Sequence, residues 1–343
     1  RSPTPREPWL GISISPRGRS RAWWWPRPST PRPSPRRSRS PPTPGKPRRA
    51  SPPGSPRSAL AGARSWIGCG WSCRPRRRRW RPRCAPASAG SSFTGAWYRR
   101  ATRDDGEWLG SAANREGRIY LNPQIWAILN DIAPPPRAAA CLAAIREQLV
   151  SEAGALLLAP AYQEPDQRIG YITRYAPGLR ENGGVYTHAG TWALAAAAKA
   201  KDAELVARLL LALNPACKDP DRYQAEPYVL PGSVDGPASP WHGRAGWTWY
   251  TGAAAWLPRV LAEWVLGDRP AWEGLRFDPC LPASWSRARM VRPWRGASLD
   301  IDIERRGGAE AGIEVAVDGS PLSLNLMPTV APGRRYRVEV RFR

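Results

Sequence analysis

A glycine- and aromatic-rich segment, GWTWYTG at residues 246–252, leads directly into the apolar segment AAAWLPRVLAEWVLG at residues 253–267. Apolar residues recur in the second segment at three- and four-residue spacing, which predicts a helix over residues 252–266. Gly267 follows as a C-terminal stop signal of the kind that helices use. Pro258 lies inside the helix and should kink it or split it.

The start of this helix is a candidate anion site. Unpaired backbone N–H groups and the helix dipole favour a negative charge at such a position, which here is occupied by Thr251 and Gly252. Trp247, Trp249 and Tyr250 come just before it and could stack on a sugar ring. Packing in the core is the commoner use of large aromatic side chains, so without further context the core is favoured.

Two further polar segments come earlier in the chain. His188, one of only two histidines, closes the loop RENGGVYTH at residues 180–188. Glu181 and His188 could line a polar pocket, or they could simply cap and hydrogen-bond the loop. Glu226 stands directly before Pro227, which disfavours a helical conformation and favours a loop that presents the carboxylate.

The remaining patterns predict a helical body followed by a β-rich segment. Helical spacing covers residues 137–153, 189–200 and 203–213. Past residue 278 apolar and polar residues alternate, as in half-buried antiparallel strands, over 298–303, 313–317 and 336–340. Asp318-Gly319 marks a turn after the second of these strands.

Charge and composition set the first ninety residues apart. The chain has 52 Lys plus Arg against 28 Asp plus Glu, but residues 1–90 hold 22 basic residues and a single acid, Glu7. The excess charge of this end is thus 22 − 1 = +21 out of +24. With 19 of the 40 prolines and few aliphatic residues, the segment cannot bury enough apolar surface to offset its chain entropy. Residues 1–92 are therefore predicted to be a disordered, basic Pro/Arg/Ser-rich segment.

Three interpretations of that segment stay open. Its basic runs would bind nucleic acid phosphates without sequence preference, and its Pro-rich stretches would present extended peptide to a partner. Its Arg, Pro, Ser and Trp content, with almost no acids or amides, also resembles a GC-rich gene translated in the wrong frame. The rest of the chain carries only +3, so nucleic acid is not the partner predicted for it.

Cysteine and apolar patterns exclude other classes. No apolar run approaches the ~20 residues of a membrane-spanning helix. Cys69, Cys73 and Cys84 lack a nearby histidine, so no zinc or other metal site is predicted. The six cysteines are expected to be reduced thiols in a cytoplasmic protein.

Seven ordered blocks between residues 97 and 282 resemble glycoside hydrolase family 94, the inverting disaccharide and oligosaccharide phosphorylases. The blocks are WYRRA with DDG (97–106), LGS to NPQ with WA (109–127), ENGG with YTHA (181–189), LNP (213–215), EPYV (226–229), GWTWYTG (246–252) and FDPCLP (277–282). The GWTWYTG form looks more like the phosphorylase-like C-terminal domain of cyclic β-1,2-glucan synthases, and like β-1,2-oligoglucan phosphorylases, than like cellobiose phosphorylase.

The resemblance implies a fold and a reaction. The fold would be mainly α, a partial (α/α)6 barrel over 93–277 followed by a small antiparallel β segment over 278–343. The reaction would be inverting phosphorolysis of a β-glucosidic bond to α-glucose 1-phosphate. Phosphate is already an anionic nucleophile, so the second carboxylate of inverting hydrolases is unnecessary. The implied partners are a β-linked glucooligosaccharide and inorganic phosphate as co-substrate, with no cofactor, and a homodimer is a candidate assembly.

The resemblance carries roles over residue by residue. His188, the Thr251 hydroxyl and the Gly252 backbone N–H match phosphate-binding positions. Glu181 matches a position that hydrogen-bonds sugar hydroxyls. Glu226 and Trp249 are expected to line the same sugar cavity.

The catalytic acid of the family has no counterpart in this chain. That acid is an aspartate in an Asp-Trp-Asn-Asp-Gly motif upstream of the WYRRA block, whereas the first aspartate here is Asp104. Loss of a general acid removes a factor of about 10² to 10⁴ in rate. We therefore expect the C-terminal part of a phosphorylase-type enzyme that is inactive alone. The alternatives are a non-catalytic glucan-binding module and nucleic-acid binding through the basic arm.

Overall fold

A computed structural model describes residues 12–16, 93–94, 96–306 and 312–343 of the chain. Most of the segment predicted to be disordered, residues 1–92, lies outside the described residues. Cys69, Cys73 and Cys84, for which no zinc site is predicted, also lie outside the described residues. The described cysteines, Cys141, Cys217 and Cys280, are free thiols.

Six α-helices are present in the described residues, and every helix predicted from spacing corresponds to one of them. They are α1 (Leu121–Leu129), α2 (Pro135–Gln148), α3 (Thr187–Lys199), α4 (Ala203–Leu213), α5 (Pro220–Tyr223) and α6 (Ala253–Val260). None of these helices combines the length and the apolar character that a membrane-spanning helix needs.

Helix α3 is the element against which three of the other helices pack. Its sequence is rich in alanine, and Ala193 to Ala198 are all buried. A helix that is apolar on all sides lies inside a protein, and α3 contacts α1, α4 and α6. Gly190 permits the close approach of α4, because a methyl carbon there would lie 2.9 Å from Leu213 Cδ2.

Pro258 splits the last helix, as predicted. Proline has no N–H to donate to the preceding turn. α6 ends at Val260 and continues as a π-helical segment, Leu261–Val265, whose wider turn ends with Leu266 N–H donating to Leu261 O at 2.8 Å. Gly267 stops the helix with φ +82°, a left-handed conformation that suits glycine.

Strands make up about as many described residues as helices, so the prediction of a mainly α chain is not confirmed. The strands are β1 (Ile12–Pro16), β2 (Ala101–Thr102), β3 (Trp108–Leu109), β4 (Ile119–Tyr120), β5 (Val150–Ser151), β6 (Gly154–Ala155), β7 (Leu158–Ala159), β8 (Val185–Tyr186), β9 (Pro231–Val234), β10 (Ala245–Thr248), β11 (Asp268–Pro270), β12 (Leu275–Phe277), β13 (Trp285–Trp294), β14 (Ala297–Arg305), β15 (Ile313–Val317), β16 (Ser320–Pro321), β17 (Leu326–Met327) and β18 (Arg335–Phe342).

The C-terminal sheet is not wholly antiparallel, which corrects the sequence prediction. Its six strands follow the order β1-β13-β14-β18-β15-β16. β18 lies between β14 and β15 and pairs parallel to β14. β14 and β15 run in opposite directions. Because β18 lies between them and is antiparallel to β15, its pairing with β14 is parallel. The turn at Asp318-Gly319 is confirmed, with φ +49° and +83° between paired Val317 and Ser320.

Five residues of the segment expected to be disordered form the edge strand β1. They pair antiparallel with β13, with Ile12 opposite Met290. β13 has ten residues and one edge that β14 does not cover, and such an edge offers unpaired backbone groups to any extended segment. The alternation of β-branched isoleucine with serine suits a strand, although the surrounding composition argued against order.

Residues 267–282 connect the helices to the C-terminal sheet. β structure already begins at Asp268, and one continuous apolar core includes both the helices and the sheet. Asp268 is fully buried and its Oδ2 lies 3.0 Å from Nη1 of Arg292 on β13. Burial raises the pKa of Asp268 to about 7, while the positive charge of Arg292 opposes that rise.

The Asp268–Arg292 pair generates a stability prediction. Arg292→Met should lower the free energy of unfolding by about 3–5 kcal/mol near pH 8, because it leaves a carboxylate buried without a partner. The loss should shrink towards pH 5. The folded-state pKa of Asp268 lies above its unfolded value of ~3.9, so stability rises as the pH falls through the folded pKa. Urea unfolding at the two pH values measures both effects.

Arg289→Met is the matched control, because Arg289 is on the same strand but 58% exposed, where it pairs with Asp302. An exposed pair contributes up to about 1 kcal/mol. Equal destabilisation by the two substitutions would contradict a special role for the buried pair.

Candidate anion and sugar site

A small three-stranded sheet, β8-β9-β10, positions the predicted site segments. β9 pairs antiparallel with both neighbours, and Ser233 lies opposite both Tyr186 on β8 and Gly246 on β10. β8 and β10 therefore run in the same direction and end at the edge where β9 begins. The segments that follow β8 and β10, and the loop that precedes β9, meet at this one edge.

His188 and Gly252 are in direct contact at this edge. His188 is the second residue of α3, and its imidazole lies against the N-cap of α6. A methyl carbon at position 252 would lie 2.7 Å from Cε1 and 2.9 Å from Nδ1 of that imidazole. No other residue than glycine fits beside His188 without moving it.

Thr251 completes the start of α6. Its Oγ1 accepts a hydrogen bond from Ala253 N–H at 3.1 Å, which leaves the hydroxyl proton free to be donated outward. The first backbone N–H groups of a helix have no partner within the helix. The structure thus brings together a hydroxyl, helix N–H groups and an imidazole, the three groups that the sequence predicted for an anion.

The imidazole of His188 is half-buried and short of partners. Its Nε2 is buried and has no hydrogen-bond partner among the described residues. Burial lowers its pKa, so the ring is neutral at pH 7. Trp192 lies 4.5 Å and Trp256 6.0 Å from it, measured between ring centroids. An unpaired buried polar atom is costly, and a ligand at Nε2 would relieve that cost.

Glu181 belongs to a turn that Asn182 holds rigid. The Asn182 side chain is fully buried, accepts from Tyr162 N–H at 2.7 Å and donates to Tyr162 O and Tyr175 O, both at 2.8 Å. The Glu181 Oε2 atom is buried without a hydrogen bond in the described part of the chain. Its nearest charged partner is Arg180 Nε at 3.7 Å.

Arg180 connects Glu181 to the aromatic segment, and sequence reasoning missed it. Its guanidinium lies 4.9 Å from the ring of Tyr175 and 5.0 Å from the ring of Trp247. Arg180 and Trp247 both have positive φ, +47° and +59°, which strains residues other than glycine. The one sequence signal for Arg180 as a site residue is its place next to Glu181 in the loop at residues 180–188.

Glu226 and Trp249 form the second contact pair. Glu226 lies in the loop before β9, as Pro227 predicted, and its Oε1 accepts from Trp249 Nε1 at 2.9 Å. That hydrogen bond is the main reason why the pKa of Glu226 is lowered. The carboxylate is therefore ionised at neutral pH and can accept further hydrogen bonds.

The aromatic side chains of this segment are exposed, so the prediction that they pack in the core is wrong. The exposed fractions are 56% for Trp247, 72% for Trp249 and 77% for Tyr250. Trp249 also contacts the exposed Tyr228, at 6.5 Å between ring centroids. This cluster of exposed large aromatic side chains makes the segment a candidate binding surface.

The predicted site residues thus form two contact groups, and Glu181 lies apart from both. His188, Thr251 and Gly252 form the anion group, and Glu226 with Trp249 forms the sugar group. Glu181 precedes β8 and reaches the aromatic segment through Arg180. No described contact joins Glu181 to His188.

Comparison with known proteins places the chain in a family. Residues 86–267 match the family model described as "Glycosyl hydrolase 94 superfamily, catalytic domain". The match begins a few residues before the composition break that we placed at residue 93.

Curated relatives agree with the family model. The chain is 34% identical over 257 residues to solabiose phosphorylase of Paenibacillus borealis, which covers 73% of the chain and 33% of that relative. It is 31% identical over 237 residues to N,N'-diacetylchitobiose phosphorylase of Vibrio proteolyticus, with 68% and 30% covered. It is 37% identical over 222 residues to the cyclic beta-(1,2)-glucan synthase NdvB of Rhizobium meliloti, with 63% and 8% covered.

The chain spans about a third of the length of the curated phosphorylases that it matches. A family model that matches more than half of the residues decides the classification. The chain belongs to the glycosyl hydrolase 94 superfamily.

Proposed function

We propose that this chain is the phosphate- and sugar-binding part of an inverting phosphorylase, which cleaves a β-glucosidic bond and releases α-glucose 1-phosphate. The observation that carries the proposal is the contact of the His188 imidazole with the start of α6. Relatives that are phosphorylases of disaccharides support the same reading.

The anion group suits inorganic phosphate. A neutral imidazole donates through one nitrogen, the Thr251 hydroxyl donates a proton, and the backbone N–H of Gly252 donates along the helix dipole. A phosphate oxygen held there attacks the anomeric carbon as the bond to the leaving sugar breaks. The displaced sugar oxygen must then receive a proton from an acid.

The first aspartates of the chain, Asp104 and Asp105, are not candidates for that acid. Asp105 forms an ion pair with Arg103 at 2.7 Å, which lowers the pKa of Asp105 and keeps it ionised. Asp104 lies exposed in the same turn between β2 and β3. We therefore propose that the described residues bind both substrates but do not complete turnover.

The sugar group would hold the glucoside. The exposed face of Trp249 offers a stacking surface, and the ionised Glu226 and the carboxyl oxygens of Glu181 accept hydrogen bonds from sugar hydroxyls. The resemblance to cyclic β-1,2-glucan synthases makes a β-1,2-linked glucooligosaccharide the first ligand to test.

The fold and setting belong to the same proposal. The packing of α1, α4 and α6 on α3 supports part of an (α/α)6 barrel. The free thiols of Cys141, Cys217 and Cys280 support a cytoplasmic location. A homodimer stays a prediction.

A non-catalytic glucan-binding module is the second candidate function. The exposed aromatic surface around Trp249 favours it, because such a surface binds sugar without any acid. Nucleic-acid binding depends on the basic arm, most of which lies outside the described residues.

The phosphate site is tested by His188→Gln in the complete chain. Removing the imidazole should weaken inorganic phosphate binding about tenfold or more, as expected for a lost hydrogen bond to a charged group of about 1.5–3 kcal/mol. Isothermal titration calorimetry measures the dissociation constant. His242→Gln is the control, because His242 is in the loop that joins β9 and β10 at the opposite edge and contacts Arg222. Absence of phosphate binding by the unaltered chain would refute the proposal.

Gly252→Ala tests the close contact itself. The added methyl carbon would lie 2.7 Å from the imidazole, so it should displace His188 and weaken phosphate binding while the fold persists. Gly246→Ala is the matched control, since its methyl carbon would meet only Ser233 Oγ at 3.8 Å. Equal phosphate affinities in the two variants would show that the contact is irrelevant to the anion.

Trp249→Leu tests the sugar group. It should weaken binding of a β-1,2-glucooligosaccharide about tenfold, since an aromatic contact contributes roughly 0.5–1.5 kcal/mol beyond its buried area. Trp272→Leu is the control, because Trp272 is 94% exposed and follows β11. Adding phosphate and assaying glucose 1-phosphate separates the functions: glucan affinity without turnover fits binding alone, and rapid turnover would contradict the missing acid.

A further inference from the structure

Two tryptophan rings, one from each helix at the anion group, enclose the imidazole of His188. Its ring centroid lies 4.5 Å from that of Trp192 on α3 and 6.0 Å from that of Trp256 on α6. The two indoles also contact each other, at 5.9 Å and nearly perpendicular at 85°. The three rings therefore form a closed triangle.

Helical spacing explains why the triangle forms. Trp192 lies four residues after His188, and Trp256 lies four residues after Gly252. Residues four apart share a helix face, and helical side chains lean towards the N-terminus. Each tryptophan therefore covers the turn that bears a residue of the anion group.

We propose that Trp192 and Trp256 are positioning residues, an aromatic clamp that holds the His188 imidazole at the start of α6 with Nε2 free for the anion. The inference rests on the proposed phosphate site. It assigns to these tryptophans a role that neither the family match nor the sequence blocks gave them.

Contacts on each side of the clamp support this role. Trp126 of α1 contacts the Trp192 ring, at 5.0 Å between ring centroids. Rotation of the imidazole is thus limited by a ring on α3, a ring on α6 and the backbone of Gly252. The Nε2 atom of His188 and the Nε1 atom of Trp192 are both buried without a hydrogen-bond partner in the described residues.

The clamp acts on His188 by excluding water rather than by charge. From α6, Arg259 lies 5.3 Å from the Trp256 ring and is paired with Glu263 at 3.1 Å. From α3, the ring of Trp192 lies against the imidazole, and Trp126 of α1 contacts Trp192. Burial is the cause that lowers the pKa of His188. A bound phosphate dianion would raise that pKa, because it stabilises the imidazolium.

Histidine NMR of the complete chain tests the clamp. With only two histidines, the signals are assigned by His242→Gln. The pKa of His188 should lie below the free value of ~6.5. Trp192→Leu and Trp256→Leu should each raise it and broaden the imidazole signal, because water enters and the ring rotates. Both should also weaken phosphate binding severalfold, while Trp192→Phe and Trp256→Phe should retain most of the affinity.

Trp264→Leu is the control, since Trp264 follows α6 but stacks on Arg269 at 4.6 Å, away from the imidazole. Unchanged His188 pKa and phosphate affinity in both Leu variants would overturn the clamp. If Trp192→Leu fails to fold by circular dichroism, Trp256→Leu and the Phe variants decide the question. A clamp effect on the pKa without any response to phosphate would uphold the clamp and refute the phosphate site, so the two failures are distinguishable.

Discussion

The absence of a side chain at position 252 is the constraint on which the site depends. The imidazole of His188 occupies the space that a methyl group would fill, with Cε1 2.7 Å from that position. α3 and α6 can therefore bring their N-terminal turns together, and an imidazole, a hydroxyl and helix N–H groups share one place. With a larger residue at position 252, the starts of α3 and α6 would have to move apart.

The body of the protein supports that approach. The small residues of α3 let the neighbouring helices pack close to its axis, and the sheet β8-β9-β10 sets the directions from which α3 and α6 begin. Beyond α6, Gly267 turns the chain into β11, where the buried Asp268 meets Arg292 of the C-terminal sheet. Helices and sheet thus share one core, and the β segment is an integral part of the fold.

The exposed aromatic segment has a different physical character. Trp247 and Trp249 are exposed although both adopt strained positive φ values of +59° and +65°. Gly232 leaves room for Trp247, because a methyl carbon at position 232 would lie 2.9 Å from Trp247 Cβ. Exposed tryptophans on a strained backbone, beside the ionised Glu226, support the sugar-binding role that we propose for this surface.

The sequence alone determined the main helices and named the residues of the candidate site. Spacing located α4, Pro258 and Gly267 marked the split and the end of the last helix, and the segment blocks identified the family. Only the tertiary structure decided that Trp249 is exposed, that β18 runs parallel to β14, that Ile12–Pro16 pair with a sheet edge, and that Arg180 joins Glu181 to the aromatic segment. Periodicity reports which residues share a face of one element. Burial, strand order and contacts depend on which other element covers that face, and such pairings join residues far apart in the chain.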